Sequence, residues 1–396
     1  MQRPPDTPVV ALCTEYSIRA FGGTEVLVAE LIRGLSRYFK IVLVSRDTEE
    51  TIQQSEFGHL LFAHVPWDLT QTTRKKGAWL ASRLSELGVS LAHFHFGGNY
   101  GWSNRELGMC PLLRVREAGI PCISTTHGVF ALLDGYCAPY RPLWMKLALL
   151  PPAWLSRVHV LQHVEMDIAV SRHDLGLLQR WYRPWKSKFR QVYHSQLKET
   201  EETPRDAASR EKMILCVGTI GHRKGQTILA EAFARIAGKH PEWKLFLAGR
   251  VGEPELLEQI CKTRSDAGLV ERIELEHQLS HDEIVDLLNR AAIFAMPSVH
   301  EGLGLSLQEA LFHGCPAVGS RVGGIPELID DRENGLLVEP GNVEQLANAL
   351  DKLISQPELR GRFAANARPS IIRKGMTSDR MIHYYRELYD SLLAER

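Results

Sequence analysis

Short apolar runs alternate with amphipathic stretches along nearly the whole chain. Val9–Cys13 reads as a strand. Thr24–Tyr38 reads as a helix, because Val26, Leu27, Ala29, Leu31, Ile32 and Leu35 recur at helical spacing. Ile41–Ser45, Ser90–Phe96 and Cys122–Thr125 are further strands, and Trp79–Leu87 is a helix. Arg157–Gln162 and Ile168–Ser171 also read as strands, the second followed by a helix at about His173–Tyr182. A polar interval, Gln196–Arg210, then breaks the pattern, and its Lys-Glu-Thr-Glu-Glu-Thr-Pro run reads as a linker. The alternation restarts with strand Met213–Val217 and helix Gln226–Ala237. It continues through strands Lys244–Leu247, Ile273–Leu275, Ile293–Met296 and Ala317–Gly319, with helices between them. Val343–Ile354, Pro357–Asn366 and Ser378–Leu393 are helical. Strands that alternate with helices predict parallel sheets covered on both faces. Two arrays of similar size predict an α/β protein with two Rossmann-like domains facing each other across a cleft, residues 1–195 and 196–375, and a C-terminal helical segment, 376–396. Ligands of such sheets sit beyond the C-terminal ends of the strands.

The stretch Pro297-Ser298-Val299-His300-Glu301-Gly302-Leu303-Gly304-Leu305-Ser306-Leu307-Gln308-Glu309 follows a predicted strand and opens a helix. Gly302 and Gly304 allow close backbone approach, and a helix start leaves N–H groups free. That combination suits an anionic or hydroxyl-rich ligand. Glu301 lies in the loop and Glu309 about one turn into the helix. A carboxylate there can accept hydrogen bonds from vicinal hydroxyls. It can equally do no more than complement the helix dipole.

The spacing of Glu301 and Glu309, eight apart in an EGLG…EA frame, resembles the E-x7-E signature of the family 4 retaining glycosyltransferases, which have the GT-B fold. The resemblance continues through Gly314–Val318, Gly323–Glu327 and Asn334–Val338, and it covers the second half of the chain more fully than the first. It implies transfer of a sugar from a nucleoside-diphosphate sugar, with retention at the anomeric carbon. By the same resemblance Glu301 contacts the donor sugar and Glu309 the ribose hydroxyls, and the amides of Gly302, Leu303 and Gly304 contact sugar and phosphate. The terminal helix is expected to pack back on the first domain, as in the family.

Three further segments fit that frame. Val217-Gly218-Thr219-Ile220-Gly221-His222-Arg223-Lys224-Gly225 joins the first strand of the second array to a helix. It is similar to the family's phosphate clamp. The commoner pattern has Arg directly after the Gly and Lys five further on, whereas here Thr219 follows Gly218 and Arg223 adjoins Lys224. Arg223 and Lys224 are both expected at the diphosphate, with Thr219 beside them. Fixed cations there would stabilise charge that develops on a departing diphosphate. Phe21-Gly22-Gly23-Thr24-Glu25 resembles the N-terminal glycine loop that approaches the diphosphate and acceptor, through Gly22 and Gly23. His127, in Ser124-Thr125-Thr126-His127-Gly128, resembles the histidine that lines the donor sugar near the reaction centre. Arg250 is added to the Ala248–Glu253 loop, where it would touch the donor phosphate or base, or make a surface ion pair. Val192–Ser195 replaces the Asn-Gly turn common in the family.

Metal and P-loop chemistry find little support. His93 and His95 share one face of a strand, but no third ligand stands at matching spacing, so no metal and no other cofactor is predicted. No GxxxxGK[ST] is present. Neither glutamate reads as a covalent nucleophile of the retaining-glycosidase kind, which points to a front-side reaction. A nucleotide-sugar epimerase of the same fold and a non-catalytic sugar-binding relic remain alternatives at this stage.

Charge refines this reading. Lys+Arg and Asp+Glu both number 47, so the chain lacks the basic excess of a generic nucleic-acid binder, and no nucleic-acid partner is predicted. The halves differ: residues 1–195 hold 22 basic and 16 acidic side chains, and the remainder 25 and 31. Residues 141–190 hold nine Lys/Arg, three Asp/Glu and four of the eight tryptophans. That segment suits a saccharide, a lipid-linked or small-molecule acceptor, or a peripheral membrane contact; it equally suits a Trp-rich core under a solvated basic rim. Seven scattered cysteines and a polar N-terminus without a signal pattern predict a cytoplasmic protein, at the inner membrane face if that contact is made.

Overall fold

The computed structural model describes residues 7–18, 23–67, 74–96, 110–128, 142–199 and 207–394. Residues 1–196 and 378–396 form one unit, and residues 197–377 form the other.

In the first unit the elements are β1 (Val9–Thr14), α1 (Gly23–Leu35), β2 (Lys40–Ser45), α2 (Glu49–Gln53), β3 (Leu61–Pro66), α3 (Arg74–Glu86) and β4 (Val89–Phe96). Next come α4 (Pro111–Glu117), β5 (Cys122–Thr126), α5 (Leu143–His163), β6 (Met166–Ala169), α6 (Arg172–Trp181) and β7 (Phe189–Gln191). Seven parallel strands stand in the order β3-β2-β1-β4-β5-β6-β7, so the direction of winding reverses between β1 and β4. Alternation along β1 sends Ala11 and Cys13 to one face, with Leu80, Leu84, Leu112 and Val160 of the covering helices. It sends Val10 and Leu12 to the other, with Leu27, Leu31 and Ile32.

The second unit runs β8 (Glu211–Val217), α7 (Gln226–Ile236), β9 (Lys244–Ala248), α8 (Pro254–Asp266), β10 (Ile273–Glu276), α9 (His281–Arg290) and β11 (Ala291–Met296). It closes with α10 (Leu305–Phe312), β12 (Ala317–Ser320), α11 (Ile325–Leu328), β13 (Gly335–Val338), α12 (Val343–Ser355) and α13 (Pro357–Arg373). Six parallel strands stand in the order β10-β9-β8-β11-β12-β13, with the reversal between β8 and β11. Ile214, Leu245 and Ile293 pack against Leu229, Phe233, Leu350 and Leu353 of the helices. A capping box, Ser280 with Glu283, starts α9.

The last helix, α14 (Ser378–Ala394), belongs to the first unit. It lies on α1 and β4, burying Met381, Tyr385 and Tyr389 in the core on that face. At its start the Ser378 hydroxyl donates to the Glu30 carboxylate on α1.

Two readings of the chain change here. Arg157–Gln162 is not a strand but the last turns of α5, which runs from Leu143 to His163 through Pro151 and Pro152. The short apolar run there has helical spacing once Val160, Leu161 and Val164 are taken together, all buried. The two prolines remove bonds to the carbonyls of Leu147 and Ala148, which lie on exposed turns where water can replace them. The tryptophans of 141–190 divide between both readings of that segment. Trp154 stacks on Tyr182, and Trp185 packs half-buried on the core. Trp144 is 67% exposed and lies on a stripe of α5 with exposed Leu143, Leu147 and Leu155. Among the described residues, no helix is long and apolar enough to cross a membrane.

Candidate active site

The reversal between β8 and β11 brings two loops together at the C-terminal ends of their strands, Gly218–Gly225 and Pro297–Gly304. A crevice at such a switch point is where open α/β sheets bind ligands. Backbone bonds pin the loops to each other: the N–H groups of Val299 and His300 both donate to the Arg223 carbonyl, at 2.8 and 3.3 Å. The Ser306 hydroxyl, in the first turn of α10, donates to the carbonyl of Val217, the last residue of β8.

Across this seam three predicted residues meet. The Lys224 ammonium donates to Glu301 Oε2 at 2.6 Å, and Arg223 Nη1 lies 3.5 Å from Glu301 Oε1. The Ser298 hydroxyl donates to Oε2 at 3.3 Å. Glu301 and Lys224 are nearly withdrawn from solvent, with side chains 8% and 16% exposed, whereas Arg223 is 48% exposed. Burial pushes the Glu301 carboxyl up. The charges of Lys224 and then Arg223, with the hydrogen bonds from Lys224 and Ser298, more than offset it and hold the group below the ordinary carboxylate range. The site is therefore an anionic group clamped between two cations, one of them open to solvent.

Glycines set the backbone of this loop. Gly304, at φ 99°, is the residue before α10, and its left-handed conformation turns the chain into the helix. Gly323, at φ 56°, lies so close that a Cβ there would stand 1.7 Å from the Glu301 carbonyl oxygen. Its neighbour Gly324 donates its N–H to the Gly302 carbonyl at 2.9 Å. The Gly323-Gly324 pair thus fixes the backbone that carries Glu301.

The other predicted residues of this unit lie around the same edge. Leu303 is buried, Gly302 half-buried, and Glu309 buried in the second turn of α10. Thr219 is exposed, and its carbonyl accepts from Gln226 Nε2 at 3.1 Å. Arg250 is exposed in the loop after β9, and its carbonyl accepts the Ile220 N–H at 2.8 Å. Ser298 and the contact of Gly323 with Glu301 have no signature in spacing, since each depends on a loop folding back.

In the first unit, Gly23 opens α1 and is exposed, while Gly22 lies outside the described residues. His127 follows β5 and joins a buried polar cluster. His95 Nδ1 lies 3.2 Å from His127 Nε2. His93 Nδ1 meets the Tyr389 hydroxyl at 2.6 Å, and its Nε2 meets the Thr125 hydroxyl at 2.8 Å. His194 Nε2 meets the Tyr385 hydroxyl at 2.9 Å. Burial lowers all four imidazoles, carrying His127 down to about 3, so they are neutral near pH 7. The pair His93 and His95 thus contacts Tyr389, Thr125 and His127, and among the described residues no group of three or more His, Cys, Asp or Glu could hold a metal ion.

Two parallel-stranded Rossmann-like sheets, one with a cation-clamped carboxylate at its switch point, define a doubly wound α/β fold. Comparison with known proteins makes the class specific. Sucrose-phosphate synthase from Thermosynechococcus elongatus superposes with a TM-score of 0.77 over 98% of this chain and 100% of its own, at 20% identity. Anabaena Alr3699/HepE, in complex with UDP-glucose, superposes with a TM-score of 0.73 over 96% and 99%, at 16% identity. The fold is GT-B. Residues 198–370 match the family described as Glycosyl transferases group 1, and residues 21–194 match Glycosyltransferase Family 4. The alpha-D-kanosaminyltransferase of Streptomyces kanamyceticus is 30% identical over 348 residues, which cover 82% of this chain and 86% of that one. The chain belongs to the group 1 glycosyltransferases of family 4.

Proposed function

We propose that this glycosyltransferase moves a sugar from a nucleoside-diphosphate sugar to an acceptor hydroxyl in glycoconjugate biosynthesis, with retention at the anomeric carbon. The reading rests chiefly on the Lys224–Glu301–Arg223 cluster at the switch point. A site in which a carboxylate neutralises two cations is poised for exchange: a diphosphate takes the cations, and Glu301 is released to accept a hydrogen bond from the sugar. The relative's name, a kanosaminyl transfer, and the UDP-glucose held by the Anabaena neighbour are consistent with such a donor. Glu309 then holds the ribose, the amides of Gly302, Leu303 and Gly304 meet sugar and phosphate, and Thr219 and Arg250 border the diphosphate. His127 lines the sugar. Charge grows on the diphosphate as the glycosidic bond breaks, so Arg223 and Lys224 stabilise the transition state more than the bound donor. The diphosphate oxygen on the departing side accepts the acceptor's proton, which keeps attack on the face the leaving group vacates. Metal-independence belongs to the same proposal.

The exposed stripe Leu143, Trp144, Leu147 and Leu155, in a segment with three times as many basic as acidic residues, supports a second part: the acceptor is met at an anionic membrane surface.

Thermal-shift measurement with UDP, GDP, ADP and TDP and their sugars tests the donor, because a ligand that binds the folded state raises the melting temperature by mass action. One nucleotide series should stabilise the protein, and loss of that stabilisation in Arg223→Ala should follow. No shift with any nucleotide would overturn the proposal. NMR of the product's anomeric configuration decides retention.

A further inference from the structure

His95 and His127 come from neighbouring strands whose register places His95 opposite Thr125, two residues before His127. The His127 N–H donates to the Phe96 carbonyl at 3.1 Å, which fixes the backbone beneath the ring. With 3.2 Å between His95 Nδ1 and His127 Nε2, one proton lies between them, and two arrangements satisfy the contact. Either His127 donates from Nε2, or His95 donates from Nδ1.

The far nitrogen of His95 discriminates. His95 is fully buried, and among the described residues its Nε2 has no hydrogen-bond partner. If His127 donates, neutral His95 must carry its proton on Nε2, leaving a buried N–H unpaired. If His95 donates, that atom is a bare lone pair. Orphaned buried N–H groups are the rarer defect. A third state, with both rings protonated at both nitrogens, is closed off by the surroundings. Among the described residues, the cluster around the pair consists of His93, held by Tyr389 and Thr125, and of His194, held by Tyr385, whose contacts are imidazoles and hydroxyls rather than carboxylates. The centroids of the His127 and His194 rings lie 5.3 Å apart, and those of His93 and His95 4.0 Å, both pairs tilted, so a charge on one opposes a charge on the next.

We propose that His95 is a positioning residue that sets the tautomer of His127, donating from Nδ1 so that His127 is protonated on Nδ1 and offers that N–H to an oxygen of the sugar donor. The contact with the sugar rests on the function proposed above; the tautomer does not. The consequence is chemical: His127 serves as a fixed neutral donor and does not take the acceptor's proton.

Long-range proton–nitrogen correlation spectra of the full chain, with labelled histidine, read each ring's tautomer directly and need no substrate. His127 should be protonated on Nδ1 and unchanged between about pH 5 and pH 8, the span in which an ordinary imidazole loses its charge. Protonation on Nε2, or an imidazolium in that span, overturns the proposal. A kinetic arm tests the linkage. His95→Asn places an amide N–H near the Nδ1 position and should keep most of kcat. His95→Phe should lower kcat about 10–100-fold, the range for losing the outer partner that orients a metal-bound histidine, carried over to this one, with KM for the donor little changed. Equal losses in both variants, or full activity in His95→Phe, overturn it. Full activity in His127→Ala would remove the sugar contact alone and leave the spectral assignment intact.

Discussion

Replacing Lys224 by Met keeps the length of the side chain and removes the charge nearest Glu301. The wild-type contact is 2.6 Å, with both side chains mostly out of water. Stripping one partner from a fully buried pair costs about 3–5 kcal/mol, because the other charge is left uncompensated. Here Arg223 remains at 3.5 Å and Ser298 at 3.3 Å, so about 2–3 kcal/mol is expected near pH 7. For a unit of this size each kcal/mol moves the melting temperature about 2–4 °C, which gives a drop of about 4–12 °C. The pH dependence carries the sign. In the wild type the Glu301 carboxyl sits below its ordinary range. Its contribution to stability is therefore present above the carboxyl's unfolded pKa and is lost as pH falls through the folded one. In Lys224→Met burial outweighs the remaining cation, and the folded carboxyl moves above its unfolded value. The variant is then penalised at neutral pH and relieved as acid protonates the group. The gap in melting temperature between the two proteins should widen from about pH 4.5 to pH 7.5. Calorimetry across that series measures it, and adding Glu301→Gln to the variant should restore most of the loss. A gap that is constant or grows toward acid, or a double variant as unstable as the single one, would refute the reasoning. On the proposed function, kcat of Lys224→Met falls about 10²–10³-fold, the range for removing one preorganised stabiliser of transition-state charge.

Gly323→Ala should destabilise the second unit by at least the 1–2 kcal/mol of a left-handed non-glycine residue, and further because its methyl would overlap the Glu301 carbonyl; an unchanged urea midpoint would count against the close approach. Tyr389→Phe leaves His93 Nδ1 buried without its partner, so a loss of about 1–3 kcal/mol in urea unfolding is expected. A loss below about 0.5 kcal/mol would mean that the hydroxyl contributes little there. Sedimentation with anionic vesicles should be weakened by the pair Trp144→Ser and Leu147→Ser while neutral vesicles are ignored throughout; no pelleting of the wild type would end the membrane reading.

How much of this was legible depends on whether a feature is local. The central strands are continuous apolar runs, and the helices between them carry apolar residues at helical spacing, so the α/β architecture is visible without coordinates. The edge strands β3 and β7 are not: β3 carries His64 and ends in Pro66, and β7 is three residues long. The loops that hold Arg223, Lys224 and Glu301 announce themselves because close backbone approach demands glycines in fixed places. The support for those loops is non-local. Ser298 reaches Glu301 only after the loop turns back, and Gly323 touches it from the segment after β12. The histidine cluster is less legible still. Tyr389 is 296 positions from the histidine it contacts, and on its own helix it reads as one more apolar-face aromatic.

Net charge misleads about the donor side for a related reason. The second half of the chain is acidic, yet the proposed diphosphate site lies there. Many of its carboxylates are paired at the surface, such as Glu274 with Lys244 and Glu211 with Arg290, and exposed charges farther off are screened within about 8–10 Å at physiological salt. What an anion meets at the strand ends is the local field of Arg223 and Lys224, which the surrounding protein screens far less than water would. A formal count sums charges that never act on one point, whereas the sheet reversal selects the few that do. Burying a carboxylate between those cations also leaves neither positive charge unpaired, so on the proposed function the group that the donor displaces is the one that lets the clamp be preassembled.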